Sequence, residues 1–314
     1  MAHYLVTGGA GFIGSHIAQK LIDEGHEVRV FDNFSTGKRR NLEPFSGRCT
    51  IIEGDVRDAG AVEKAVCGVD VVFHQAALAS VPRSIADPAS TNEVNVEGTL
   101  NLLIAAKNSG VKRFVYASSS SVYGDSAKLP KEEQMAPNPK SPYAVSKLAG
   151  EMYCLAFSSV YKLPTTSLRY FNVFGPRQDP DSQYAAVIPL FVKALLERQR
   201  PTIFGDGEQS RDFTYVDNVV SANLLASRSN HPGGSVYNVA CGTRFSLNSL
   251  YGQLSNILNV EIEPVYDPPR PGDVKHSQAS ICAIEADLGY RTSVPFDEGL
   301  RRTVRWYQEA DKSV

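Results

Sequence analysis

Gly8-Gly9-Ala10-Gly11-Phe12-Ile13-Gly14 decides the fold. This stretch follows the apolar run 4–7 and opens an amphipathic segment, 12–23, so its glycines stand where a strand gives way to a helix. Glycines so spaced meet three steric needs: a tight turn, an approach of backbone to a pyrophosphate, and close packing of helix on strand. The helix start adds unpaired N–H donors and partial positive charge. A glycine trio alone is a weak signal, but here the second strand, 28–32, ends in Asp32, placed to accept hydrogen bonds from the adenine-side ribose of a dinucleotide.

The rest of the cofactor site is read outward from there. Gly8, Gly11, Phe12, Ile13 and Gly14 form the loop, and Asp32, Asn33 and Ser35 the ribose end. A carboxylate at position 32 repels the extra phosphate of NADP and points to NAD, while Lys38, Arg39 and Arg40 behind it read either as an NADP clamp or as a solvated loop. Asp55 and Val56, after the third strand, bracket the adenine, although Asp55 also reads as a plain turn residue. Ala76 and Ala77, after the fourth strand, are small enough to let backbone approach the cofactor.

Further β-rich runs at 50–53, 71–74, 114–117 and 166–171 alternate with helical stretches, among them 88–109 and 143–161. Such alternation predicts an α/β, Rossmann-type, doubly wound parallel sheet over residues 1–172. From residue 173 the texture becomes turn-rich, which predicts a smaller α/β C-terminal substrate domain over 173–314, with an interleaved boundary and a helix near 215–230 packing back on the first domain. At 314 residues, 42% hydrophobic and 21% charged, the chain is long enough for both and is not disordered.

The net charge of −2 gives no field to hold nucleic acid or an anionic membrane, and no segment has the apolar length of a membrane span. Five cysteines, at 49, 67, 154, 241 and 282, have neither paired nor metal-type spacing, so free thiols, no metal and a cytoplasmic location are expected. The two long helices carry apolar residues on more than one face, which suits either burial within one subunit or a homodimer.

Beyond the fifth strand run Ser118-Ser119-Ser120-Ser121-Val122-Tyr123-Gly124, and later Tyr143 with Lys147 four residues on, sharing one helix face. A phenol has a pKa near 10 and is a poor base at neutral pH; bringing it near neutrality asks for roughly 4 kcal/mol, which a lysine and a positive nicotinamide ring can supply in a dry site. Tyr143 is then the base that takes a hydroxyl proton as hydride leaves the same carbon.

The glycine loop, the serine-rich strand end and the Tyr143/Lys147 pair resemble the extended short-chain dehydrogenase/reductase family, over almost the entire chain, and within it the UDP-sugar 4-epimerases acting on N-acetylhexosamines. The resemblance implies that Ser119 binds the reacting oxygen with Ser120 and Ser121 beside it. It also implies that Asn95 lies near the cofactor or the serine, that Lys147 holds the nicotinamide ribose, and that Tyr170 and Val173 run along the cofactor. It further implies a UDP-sugar substrate held by Ser80, Asn172, Ala186, Val187, Thr202, Phe204, Arg211, Arg270, Asp273 and Ser277, with two guanidiniums on the diphosphate.

Related dehydratases and decarboxylases carry an acidic residue within the serine segment, and this chain has none, so the resemblance implies oxidation at C4, rotation of the 4-keto sugar and re-reduction. Where members restricted to glucose and galactose carry tyrosine, this chain has Ser277, which leaves room for a 2-acetamido group. UDP-GlcNAc and UDP-GalNAc are thus the expected substrates, with UDP-Glc and UDP-Gal fitting too. A UDP-glucuronate 4-epimerase, with Arg83 facing a carboxylate, and a nucleotide-sugar dehydrogenase or reductase with net redox turnover stand as alternatives.

Overall fold

The computed structural model describes residues 2–181, 186–269 and 275–311. Seven strands form one parallel sheet: β1 (His3–Thr7), β2 (Glu27–Asp32), β3 (Thr50–Glu53), β4 (Val71–His74), β5 (Arg113–Ser119), β6 (Thr165–Tyr170) and β11 (Ser235–Val239). Their order is β11-β6-β5-β4-β1-β2-β3, so the chain reverses direction across the sheet between β1 and β4 and leaves a crevice at their C-terminal ends.

Alternation along each strand divides the core into two. Leu5, Val72, Phe114 and Tyr116 face one side, under α2 (Ala59–Val66), α5 (Gly98–Asn108) and α6 (Pro142–Tyr161). Tyr4, Val6, Val71, Phe73 and Val115 face the other, under α1 (Phe12–Asp23) and α8 (Val216–Arg228).

The stretch 88–108 is helical throughout: α4 (Pro88–Asn92) runs through a wider, π-type turn at Glu93–Glu97 into α5, and a short α3 (Val81–Ala86) precedes it. Thr99 Oγ1 donates to the Asn95 carbonyl at 2.6 Å, a back-bond of the kind that loosens a helix, and Asn95 turns inward to meet Leu78 and Ser146. The sixth strand ends at Tyr170, one residue before the predicted end, because Asn172 adopts φ +34° and turns the chain out of the sheet.

Most remaining elements form the lobe above the C-terminal edge: β7 (Val173–Phe174), α7 (Val187–Leu196), β8 (Thr202–Phe204), β9 (Ser210–Arg211), β10 (Thr214–Tyr215), β12 (Phe245–Ser246), α9 (Leu247–Leu258), β13 (Val265–Asp267) and α11 (Phe296–Asp311), while α10 (Cys282–Leu288) packs on β11 and α8. The lobe's small sheets pair β10 with β7, β12 with β9 and β13 with β8. The chain crosses between the layers more than once, since α8 packs on α1 and β11 extends the large sheet beside β6.

Gly150 lets α6 settle on β5: a Cβ there would lie 2.2 Å from the hydroxyl of Tyr116, a ring that is itself fully buried. Gly150→Ala is expected to cost about 1–3 kcal/mol through overpacking, read as a lower Tm in calorimetry. An unchanged Tm would contradict this packing.

Candidate functional site

Gly8 turns at φ +65°, and a Cβ on it would lie 2.6 Å from the Ala76 nitrogen; a Cβ on Gly14 would lie 2.3 Å from the Gly8 carbonyl. Loop, helix and fourth strand therefore meet as closely as backbone allows. Gly11 begins α1 with no side-chain cap, so the first N–H groups of a 12-residue helix are left for an anion. A cleft of about 280 Å³ opens there, lined by Gly8, Gly11, Phe12, Ile13 and Gly14, by Asp32, Asn33, Ser35, Val56, Ala76 and Ala77, and by Tyr143, Lys147 and Tyr170.

Asp32 is fixed at the mouth of β2 by the Ala10 N–H at 2.9 Å and the Phe34 N–H at 2.8 Å. Burial raises its pKa, and these two backbone donors oppose the rise. Of the basic cluster behind it, Lys38 pairs with Asp179 at 2.6 Å and Arg39 with Glu53 at 2.5 Å while lying over the Phe34 ring. Those two cations are occupied by carboxylates, which weakens the reading as a phosphate clamp. Asp55 does not line the cleft. It accepts from Asn33 at 2.8 Å and is held below the usual carboxylate range chiefly by hydrogen bonds from Arg57.

At the other end of the cleft, Lys147 Nζ donates to the Ala117 carbonyl at 2.9 Å and lies 6.0 Å from the centre of the Tyr143 ring. Ser119 Oγ accepts from the Ser121 N–H at 3.2 Å and stands close enough to Tyr143 to favour its ionised form. Burial pushes the Tyr143 phenol up, against the lowering effect of Ser119, and pushes the Lys147 ammonium down to about 8, against the raising effects of Cys154 and Glu151. Without the dinucleotide, the loss of water in this dry pocket outweighs the phenol's neighbours in the protein, so the acidification expected of lysine and nicotinamide ring together is not reached by the protein alone. The Tyr170 hydroxyl is held by Asn223 Nδ2 at 2.8 Å and Gln75 Nε2 at 3.1 Å, two residues that local sequence patterns did not single out.

A second cleft of about 270 Å³ lies just past β6, lined by Asn172, Val173, Ala186, Val187, Thr202, Phe204 and Arg211. Val173 therefore faces this cleft and not the first, since the turn at Asn172 carries it away from the sheet. Asn172 Nδ2 donates to the Asp212 carbonyl at 3.1 Å and to Ser277 Oγ at 3.2 Å, which places Ser277 behind Asn172. Ser121 Oγ is buried with no protein partner, so it retains hydrogen-bonding capacity, while Ser120 begins the tight turn Ser120–Tyr123.

Two further expected residues line neither cleft. Asn95, 1% exposed, instead accepts from the Leu78 N–H at 2.8 Å and donates to Ser146 at 3.0 Å, anchoring the segment that follows Ala77. Ser80 caps α3, accepting from the Arg83 N–H at 3.2 Å. Arg270 and Asp273 lie outside the described residues. No described helix is long and apolar enough to cross a membrane.

Residues 4–240 match the model of the NAD dependent epimerase/dehydratase family. The chain belongs to that family. Its cofactor is NAD, and the glycine turn, the uncapped start of α1 and the fixed Asp32 carboxylate fit that dinucleotide. This family member is 38% identical over 311 residues to a putative UDP-glucose 4-epimerase of Methanocaldococcus jannaschii, covering 98% of this chain and 99% of that one. It is 45% identical to a UDP-N-acetylglucosamine 4-epimerase from Methanobrevibacter ruminantium, solved in complex with UDP-N-acetylmuramic acid; the TM-score is 0.94, with 98% and 99% of the two chains covered. A UDP-glucose 4-epimerase of Thermus thermophilus, solved with NAD, is 39% identical with a TM-score of 0.90 over 98% and 99% of the chains.

Because Lys147 loses its charge above a pH of about 8, kcat of this epimerase/dehydratase family member is expected to decline on the alkaline side through that value. A pH profile of kcat checks this; a profile that stays level well beyond that pH contradicts it.

Proposed function

We propose that the protein is an NAD-dependent 4-epimerase interconverting UDP-GlcNAc and UDP-GalNAc, and also acting on UDP-Glc and UDP-Gal. The observation that carries the reading is the pair of clefts flanking the end of β6, one with the glycine loop, Tyr143 and Lys147, the other with Asn172, Phe204 and Arg211. Residues 1–172 would hold the dinucleotide and residues 173–314 the nucleotide sugar. The likeness to a UDP-N-acetylglucosamine 4-epimerase supports the acetamido preference, as does the small side chain at Ser277 beside Asn172.

Bound NAD supplies a reversible hydride acceptor and a positive ring. Tyr143 takes the C4 hydroxyl proton and later returns one, Ser119 orients the reacting oxygen, and Lys147 holds the ribose and favours the phenolate. Arg211 and Phe204 anchor the nucleotide so that the oxidised sugar turns about its diphosphate link without leaving, which spends binding energy away from the reacting ring.

Incubation with UDP-GlcNAc, UDP-Glc and UDP-GlcA separately, with NAD at the enzyme's own concentration, tests this when products are identified by NMR. The C4 epimer of UDP-GlcNAc is expected, with slower conversion of UDP-Glc and none of UDP-GlcA, and Tyr143→Phe lowers turnover by about 10²–10⁴-fold. Ser277→Tyr is expected to slow UDP-GlcNAc far more than UDP-Glc. Conversion of UDP-GlcA alone, or near-normal turnover by Tyr143→Phe, contradicts the assignment.

We also infer a cytoplasmic homodimer. The outer face of α6 exposes Val145, Met152 and Leu155, and α5 beside it exposes Ile104, an apolar surface that a second copy would cover. Light scattering should give twice the 34.2 kDa chain mass, falling toward one chain for Met152→Glu. A monomeric wild type contradicts the dimer.

A further inference from the structure

Three consecutive residues at the end of β5 are each held by a different position on α6. Tyr116 rests against Gly150, the Ala117 carbonyl accepts from Lys147, and the Ser118 hydroxyl donates to Glu151 Oε1 at 2.5 Å; Ser119 follows directly, beside Tyr143. The third of these contacts has no part in the chemistry proposed above.

Glu151 and its partner Arg169 are the buried ion pair of the described residues, their side chains 0% and 4% exposed. Arg169 Nε donates to Oε1 at 2.8 Å and Nη2 to Oε2 at 2.7 Å, a two-point clamp, and the guanidinium lies 4.7 Å from the centre of the Tyr123 ring. Arg169 stands opposite Ser118 in the β5–β6 register, so one carboxylate ties α6 to two neighbouring strands. A buried pair is weak evidence for stability, since well-packed apolar groups commonly replace one without loss. Its placement points elsewhere.

Glu151 lies one helical turn beyond Lys147 on the same face. The groups around Lys147 are the Ala117 carbonyl, the Tyr116 and Tyr143 rings, Cys154, His74 and Glu151. Burial pushes the Cys154 thiol up to about 12 and the His74 imidazole down to about 3, and it raises both phenols, so these four are uncharged near neutral pH. Glu151 is the carboxylate of the set.

We propose that Glu151, clamped by Arg169, is a positioning residue for proton transfer: it fixes Ser118 so that Ser119 meets Tyr143, and it preserves the positive charge of Lys147. The inference rests on the reading of Tyr143 and Lys147 given above.

Three variants test it. Ser118→Ala removes one hydrogen bond and leaves the ion pair in place; kcat should fall about tenfold or more while KM for UDP-GlcNAc or UDP-Glc, whichever the wild type converts faster, stays put. Glu151→Gln leaves Arg169 buried and unpaired, so the double variant Glu151→Gln/Arg169→Met, with no stranded charge, is measured as well. In either, the alkaline limb of kcat should move below its wild-type position, and NMR of isotope-labelled lysine should show the Lys147 amine titrating lower. Wild-type kcat in Ser118→Ala, or an unmoved limb and amine titration in the double variant, overturns the proposal. Full turnover by Tyr143→Phe would overturn the functional reading itself; an inactive Tyr143→Phe beside a fully active Ser118→Ala overturns only this inference.

Discussion

The docking of α6 against the end of β5 is the constraint on which the rest depends. A helix carrying a polar base and a lysine has to be pressed into a strand without water between them, and the sequence allows this with Gly150 where the helix crosses Tyr116. Once pressed in, Lys147 satisfies itself on a backbone carbonyl, and Tyr143 is buried beside Ser119. Burial then works against charge on both. The protein alone therefore holds a phenol that resists ionisation, and the charge that tips it must arrive with the cofactor in the same cleft.

The lobe above the sheet follows from a second constraint, at Asn172. Its φ of +34° is costly for a residue with a side chain, and its amide is committed to the Asp212 carbonyl and to Ser277. This turn ends β6 and carries Val173 into the second cleft. The two sites are thus joined by three residues, Tyr170 on one side and Asn172 and Val173 on the other. Asp212 reinforces the junction, its carboxylate accepting from the N–H groups of Cys241, Gly242 and Ala279, although burial pushes its pKa up to about 7.

Much of this was legible locally. Gly8 and Gly14 read correctly as turn and close contact because each role is dictated by sterics within one βαβ unit, and Asp32 stands at the end of β2 as expected. The π-type turn inside the 88–109 helix was hidden, since nothing in helical periodicity signals that Thr99 will bond back to Asn95. Glu151 and Arg169 escaped notice because their pairing spans two elements, yet a signal existed: an arginine inside a central parallel strand, covered on both faces, needs a partner, and Glu151 continues the Tyr143/Lys147 helix face. The destination of the basic cluster at 38–40 was also invisible, for Asp179 is remote in sequence from Lys38.

NMR of isotope-labelled tyrosine, with Tyr143 assigned by difference, tests the central claim most directly when the phenol is titrated with and without NAD. The account predicts a pKa above the free-phenol value of 10.0 in the protein alone and a fall well below it when the dinucleotide binds. The same titration in both states would contradict it.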